Sequence, residues 1–227
     1  MAKLKFGMVV TGASGKLGGH VFARNRGGAY ARSKVTPVNP QTVYQQGART
    51  TLSNFSQAWR GLTQAERDAW NAAVTDYART DIFGDLRNPT GKNLYTLLNI
   101  NLDLIGISPI SSPLQPTAIG SYSITGVSIA VGTSQFDVSF VGSHNNQRVL
   151  IEATDPLSAG VSFFKNRFRV ISDIAGNAGS PADFWADYTA RFGVPPVGSR
   201  IAVRMTPVSS ITGQKGVPVF SATVVQA

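Results

Sequence analysis

A glycine-rich turn near the start of the sequence has the residue types that could bind a phosphate group. It reads Thr11-Gly12-Ala13-Ser14-Gly15-Lys16-Leu17-Gly18-Gly19 and follows the apolar pair Val9-Val10. Because glycine has no side chain, the backbone N–H groups of such a turn can approach a pyrophosphate closely, and the N-terminus of a following helix would add its positive dipole end. The first chemistry to consider is therefore nucleotide binding.

This turn resembles the Thr-Gly-x-x-Gly-x-x-Gly turn of short-chain dehydrogenases, and Tyr30-x-x-x-Lys34 repeats the spacing of that family's catalytic pair. The resemblance implies an NAD(P)-dependent enzyme. A dinucleotide fold, however, needs an amphipathic helix after the glycines and then a second strand. Here Arg24-Asn25-Arg26-Gly27-Gly28 occupies the helix position, and the first acidic residue of the chain is Glu66. The dehydrogenase-like enzyme is therefore kept only as an alternative, and no cofactor is expected.

Other residues that could do chemistry are few. The sequence has no cysteine and two histidines, His20 and His144, which excludes disulfides and thiolate sites and leaves little for metal binding. Asp183 and Asp187 are four residues apart, a spacing typical of a solvated helix face. We find no Ser-His-Asp set on a nucleophile turn and no aspartate-rich calcium loop. The sequence therefore predicts a non-enzymatic protein without catalytic, cofactor-binding or metal-binding residues.

Positive charge is concentrated in the first quarter of the chain. The 227 residues include 21 Lys and Arg against 12 Asp and Glu, a net charge of +9. Residues 1–65 contain nine basic residues and no acidic one, so the remaining 162 residues are formally neutral. No apolar run is long enough for a transmembrane helix or for the core of a signal peptide, so no membrane attachment is expected.

Residues 1–38 combine this charge with many glycines, and their poor periodicity predicts an extended, glycine-hinged arm with one short strand at 5–10. Such an arm can order on neighbouring protein subunits, lie along nucleic-acid phosphates, or remain a solvated tail. Its aromatic residues are too widely spaced for a base-stacking platform and are predicted to anchor in pockets of a partner. The predicted partner-binding residues are Lys3, Lys5, Phe6, Lys16, Phe22, Arg24, Arg26, Tyr30, Arg32 and Lys34.

Residues 39–106 have helical periodicity and form the second predicted segment. Asn39-Pro40 predicts the start of a first helix, and Thr63-Gln64-Ala65-Glu66 is a capping box for a second. Since about three residues join these helices, we expect an antiparallel hairpin with Trp59 and Trp70 near its closed end. A third helix is predicted to begin near 88–90 and to stop at Gly106.

The C-terminal half changes to a strand pattern. A Pro/Ser-rich segment, 107–118, is predicted to be a domain linker. Residues 119–227 then show six or seven short alternating segments, which predict an antiparallel sandwich with an immunoglobulin- or fibronectin-like fold. A capped short helix is expected at 180–188, on the rim of the sandwich. The predicted class is α+β: an extended N-terminal arm and helical hairpin, followed by a C-terminal antiparallel β-sandwich.

A series of helical motifs resembles uncharacterised virion proteins of tailed phages and prophages. These proteins have an Arg/Gly-rich start, a Leu-Thr…Arg…Trp helical hairpin and a β-rich C-terminal module. The resemblance covers about residues 5–105. The motifs that carry it are Asn39-Pro40-Gln41-Thr42, Gln45-x-x-x-Arg49, Phe55-x-x-x-Trp59, Leu62-Thr63-x-x-x-Arg67-x-x-Trp70 and Gly91-x-Asn93-x-Tyr95-x-x-x-Asn99.

This resemblance implies a structural role in the virion, assembled in the bacterial host cytoplasm, and no catalytic residues. We therefore expect a capsid decoration, minor capsid or head–tail component, present in many copies, whose basic arm clamps neighbouring virion proteins such as capsid or connector subunits. The first alternative is a connector or internal virion protein whose basic arm contacts packaged DNA; the alternative from another class is the NAD(P)-dependent enzyme considered above.

Overall fold

The computed structural model describes residues 2–227, and within that range it contains four α-helices and four antiparallel sheets. The chain is therefore α+β, as the sequence predicts.

The N-terminal segment is a small sheet instead of an extended arm. Its strands are β1 (Ala2–Leu4), β2 (Gly15–Leu17), β3 (His20–Asn25) and β4 (Gly28–Ser33), in the order β1-β4-β3-β2. The prediction of an extended arm is wrong for residues 2–33, and the strand expected at 5–10 is absent. The turn between β3 and β4 explains the difference. The side-chain oxygen of Asn25 accepts a hydrogen bond from the Gly27 N–H (2.8 Å), and Gly28 has a φ of 102° that favours glycine.

This sheet has no core of its own. Along the described chain the first buried residue is Phe55, so every residue from 2 to 54 is at most half-buried. Strand periodicity in a sequence arises from the burial of one face. Because neither face of this sheet is buried, its strands lack the alternation that would have predicted them.

Three α-helices follow: α1 (Val43–Gly61), α2 (Gln64–Ala72), which continues into a 3₁₀ turn at Ala73–Thr75, and α3 (Gly91–Leu104). The capping box of α2 is confirmed, because the Thr63 hydroxyl accepts from the Glu66 N–H and the Glu66 carboxylate accepts from the Thr63 N–H. The start of α3 is also confirmed, with Thr90 as its cap. The predicted start of α1 is wrong: Thr42 caps it, and the Asn39 side chain instead accepts from Arg49 (2.8 Å).

The helices pack around the ring of Tyr95 on α3. The centroid of this ring lies 5.5 Å from Trp59 of α1 and 5.4 Å from Trp70 of α2. Both α1 and α2 make their main helix contacts with α3, so the antiparallel packing predicted between the first two helices is not formed. Two short strands, β5 (Arg79–Thr80) and β6 (Leu86–Arg87), form a hairpin before α3.

Residues 119–227 contain seven strands and one further helix, α4 (Trp185–Phe192), which begins later than the expected 180–188. The strands are β7 (Ser123–Ala130), β8 (Gln135–Val141), β9 (Gln147–Ala153), β10 (Arg169–Ala175), β11 (Ala182–Asp183), β12 (Arg200–Ser209) and β13 (Val219–Val224). They form a four-stranded sheet, β10-β9-β12-β13, and a three-stranded sheet, β11-β8-β7. The inward-facing residues of both sheets share one core, with Phe136, Ile151 and Val203 fully buried in it.

The helical segment and the β-module also share a core. Leu102 of α3 and Ile105, which follows the helix, are buried against Leu150 and Val208 on the outer face of the four-stranded sheet. The connection predicted as a linker is bound to the helices, because Trp70 donates its indole N–H to the Ser111 carbonyl (2.6 Å). Residues 107–118 therefore join two packed units and do not leave them free to move apart.

Candidate partner-binding surface

One face of the N-terminal sheet carries most of its positive charge. Cross-strand neighbours in an antiparallel pair share a face, and the register places Lys16 beside Val21 and Arg32, with Lys3 beside Tyr30 in the adjoining row. We call this set, Lys3, Lys16, Val21, Ala23, Tyr30 and Arg32, the basic face. It presents three cations and one aromatic ring, and none of its side chains is buried.

The opposite face carries apolar residues and Arg24. Phe22 lies across from Ala31 and Gly15, and Arg24 lies across from Ala29. The loop 5–14 folds over this side, and Phe6, Leu4 and Arg24 line a cavity of about 260 Å³ beneath it. Phe6 and Phe22 are therefore on the sheet side opposite Tyr30, and the predicted residues do not form a single surface.

An acidic loop attaches the sheet to the helical segment. This loop is the turn between β5 and β6, Asp81-Ile82-Phe83-Gly84-Asp85. The Lys3 ammonium forms a salt bridge with the Asp81 carboxylate (3.0 Å), and the Lys5 ammonium forms one with the Asp85 carboxylate (3.1 Å). The Lys5 ammonium also lies 5.2 Å from the centre of the Phe83 ring. Lys3 and Lys5, two of the predicted partner-binding residues, thus form salt bridges within the chain itself.

Asp81 is the centre of this attachment. Its side chain is 3% exposed and accepts from the Phe83 N–H (2.8 Å), the Asp85 N–H (3.1 Å) and the Arg87 guanidinium (3.3 Å), as well as from Lys3. Burial acts to raise the pKa of Asp81, but these hydrogen bonds outweigh it, so the pKa lies below its ordinary range. The carboxylate is therefore ionised wherever the protein is folded near neutral pH.

The remaining predicted residues have no ionic partner in residues 2–227. Arg26 is exposed in the β3–β4 turn, and Lys34 follows β4, where its backbone N–H donates to the Gly19 carbonyl (2.8 Å). Within the described chain, Lys16, Arg24, Arg26, Arg32 and Lys34 form no salt bridge. These five cations are available to bind an anionic partner.

The glycine-rich turn does not have the geometry of a dinucleotide site. Residues 11–14 lie in the loop over the sheet, and Gly15 and Leu17 belong to β2. The glycines are followed by strand β3, so the N–H groups of a helix N-terminus are not placed there. Asp183 likewise lies in β11 and accepts from the Phe136 N–H, so it is not on a helix face with Asp187.

Sequence reasoning missed the acidic loop and a cluster of phenylalanines in the β-module. Asp81 to Asp85 has a turn signal, since Asp and Gly favour tight turns, and this signal could have indicated a hairpin tip. The phenylalanines are Phe163, Phe164, Phe168 and Phe220, which are brought together by a loop and a distant strand. Phe220 is more than fifty residues from the others, so spacing alone cannot predict this grouping.

Over residues 2–227 no helix is both long and apolar enough to cross a membrane. In the same range no three His, Asp or Glu side chains come close enough together to hold a metal ion. The sequence matches no protein-family model and no curated protein.

Proposed function

We propose that this chain is a non-enzymatic structural component of a tailed-phage particle, present in many copies as a capsid decoration, minor capsid or head–tail protein. Its basic N-terminal sheet attaches it to neighbouring virion subunits. The proposed attachment rests on one observation: residues 2–54 form the N-terminal sheet and the first turns of α1, yet none of these residues is buried. Exposed apolar side chains beside cations that form no salt bridge are typical of a surface that binds an anionic partner.

The fold of residues 119–227 is, in this proposal, an immunoglobulin- or fibronectin-like sandwich. The strand order supports it, since the first, second and fifth strands of the module pair in one sheet and the third, sixth and seventh pair in the other. That is the immunoglobulin division of strands except for the fourth strand, which lies beside the third.

Trypsin cleavage tests the attachment. In the isolated protein we expect rapid cleavage after Lys16, Arg26 and Lys34, because no burial protects them. In assembled particles that contain the protein, cleavage at these sites should be at least about tenfold slower. Equal cleavage rates in both states would overturn the proposed attachment.

Charge-reversal variants test whether incorporation into particles depends on the basic face or only on the total charge of the protein. The double variant Lys16→Glu with Arg32→Glu should lower incorporation into particles by about tenfold. The control, Lys92→Glu with Arg60→Glu, makes the same change of charge on exposed helix positions and should incorporate normally. A loss that is equal in both double variants would point away from the basic face.

A second candidate is a connector or internal protein whose N-terminal sheet contacts packaged DNA. The alignment of Lys16 with Arg32 on one face favours it, since phosphate contacts use such rows of cations. Duplex binding would then weaken steeply between 50 and 200 mM salt and disappear when residues 1–38 are deleted. Salt-independent or deletion-independent binding would eliminate this candidate.

A further inference from the structure

A second surface with unusual chemistry lies on the β-module. The loop 154–168, between β9 and β10, folds over the outer face of β12 and β13, where Leu157 and Phe164 pack on Ala202. Beside it opens a cavity of about 390 Å³, a size typical of sites that bind a small group. Its lining residues are Ser162, Phe163, Phe164, Lys165, Phe168, Arg204, Pro218 and Phe220.

The walls of this cavity are aromatic and only partly covered. Phe164 and Phe168 are buried and meet edge to face, with ring centres 5.8 Å apart, and the Phe220 ring lies 6.3 Å from Phe164. Phe163 and Phe220, in contrast, are 67% and 62% exposed. Exposing two such rings beside a cavity is unfavourable in water, at roughly 25 cal/mol per Å² of apolar surface. The arrangement is typical of a surface that receives a bulky apolar side chain.

The charge around the cavity is positive. At one side Arg204 is held by both oxygens of Glu152 (2.6 Å each) and lies 4.6 Å from the centre of the Phe168 ring. Lys165 lies at the rim, and among residues 2–227 no acidic residue lines the cavity. The loop segment 161–169 adds Arg169 and also Arg167, which pairs with Asp155 (3.4 Å). In the described chain Lys165 and Arg169 form no salt bridge, so the net charge beside the cavity is positive. A partner segment with carboxylates beside its apolar side chain is therefore the complementary one.

We propose that this aromatic cavity binds a large apolar side chain from an acidic, extended segment of a partner protein. A second copy of this chain is a poor occupant. Its acidic loop, Asp81 to Asp85, exposes Ile82 and Phe83, but both of its carboxylates are already paired with Lys3, Lys5 and Arg87 of the same chain. Its segment Met8-Val9-Val10 lies beside Lys3 and Lys5 in a region without acidic residues and would meet like charge at the rim. The inference rests on the cavity alone and does not require the virion role or the basic face.

The test is a titration of the full-length, ¹⁵N-labelled protein with three short capped peptides, followed by amide chemical shifts. The probe is acetyl-Glu-Asp-Phe-Asp-Glu-amide; one comparison peptide replaces Phe by Ala and the other replaces the acids by Lys. We expect the probe to shift the amides of 161–168 and 217–222 and to bind at least about tenfold more tightly than either comparison peptide. Phe220→Ala and Phe163→Ala should each weaken probe binding about tenfold, and Lys165→Glu severalfold.

Matched controls keep the result interpretable. Val141→Ala removes an exposed apolar side chain on the other sheet, and Lys92→Glu makes the charge change of Lys165→Glu on α3; both should bind the probe normally. The proposal is overturned if the probe shifts no amide at millimolar concentration or if the Lys peptide binds equally well. It is also overturned if a thymidine oligonucleotide of equal charge binds the same amides more tightly, since the surface would then be a nucleic-acid site.

Discussion

Among single residues, Asp81 contributes most to the attachment of the N-terminal sheet. It is almost completely covered and accepts four hydrogen bonds, of which one comes from Lys3 of the sheet and one from Arg87 of its own hairpin. Replacing it by Asn would keep its shape but remove the charge that orients both cations. The amides of Phe83 and Asp85, which donate to this carboxylate, report directly on its state.

The first prediction concerns the loss of the Asp81 contacts at acidic pH. Because the pKa of Asp81 is lowered in the folded protein from an unfolded value of about 3.9, its stabilisation is complete above about pH 5 and is lost as pH falls through the lowered pKa. As the pH is lowered from 6, NMR should show the Phe83 and Asp85 amides moving with the protonation of Asp81 only at pH values well below the ordinary Asp pKa of about 3.9. Asp81→Asn should abolish that transition, whereas Asp85→Asn should retain it. A transition near pH 6 would contradict the assignment.

The second prediction concerns Trp70, which is fully buried and donates to the Ser111 carbonyl. Trp70→Phe leaves that carbonyl unpaired and a void beside Tyr95, so the free energy of unfolding should fall by about 2 kcal/mol in urea denaturation. Trp59→Phe is the control, because Trp59 contacts the same ring but is only half-buried; the free energy of unfolding should fall by less than about 1 kcal/mol. Equal losses would show that the hydrogen bond contributes little.

At the scale of elements, α3 is the piece that both halves of the chain share. One side holds Tyr95 between two tryptophans, and the other packs on the four-stranded sheet. The Asn101 side chain also donates to the Gly213 carbonyl (2.8 Å), across the junction of the two units. The loop that contains Gly213 can lie this close to α3 because glycine has no side chain.

The third prediction uses that glycine. Gly213 has a φ of 73°, and an added Cβ would overlap the carbonyl oxygen of Leu98 on α3. Gly213→Ala should therefore lower the free energy of unfolding by about 2 kcal/mol or more, through backbone strain and a clash at the junction. Gly198→Ala is the control: its φ is 82° but nothing lies within 4 Å of its Cβ position, so only the strain of about 1 kcal/mol is expected. Thermal or urea unfolding distinguishes the two.

The elements that could be predicted from sequence are those with local chemical signals or a buried face. The capping box at Thr63 and the cap at Thr90 were identifiable because each side chain satisfies a backbone N–H three residues later. The N-terminal sheet was missed because neither of its faces is buried, so its strands show no alternation of apolar and polar residues. The aromatic cavity was missed because it depends on Phe220 meeting a loop that lies far away in sequence.

At the scale of the whole molecule, charge and core are separated. The core begins at Phe55, whereas seven of the nine net positive charges lie within residues 1–38. The buried core and most of the positive charge therefore lie in different parts of the chain. This separation gives a direct test.

The fourth prediction is that deleting residues 2–38 changes attachment but not folding. The truncated chain should unfold cooperatively, with a free energy of unfolding within about 1 kcal/mol of the full chain. The deleted part has no buried residue, and Arg87 remains paired with both Asp81 and Asp85 when Lys3 and Lys5 are removed. Its net charge falls from +9 to +2, so retention on a cation-exchange column should drop sharply. A large loss of stability would mean that the sheet supports the core despite its exposure.

The nine residues 34–42 between β4 and α1 have neither helix nor strand. If high salt or acid breaks the ion pairs at Asp81 and Asp85, the sheet remains connected to α1 by this segment alone. At about 3.4 Å per residue, such a tether reaches roughly 30 Å. The sheet could then search a volume wide enough to reach an adjoining subunit, while its high local concentration favours return to the hairpin. If the proposed attachment holds, the N-terminal sheet has two competing binding sites: the β5–β6 hairpin of its own chain and a neighbouring subunit.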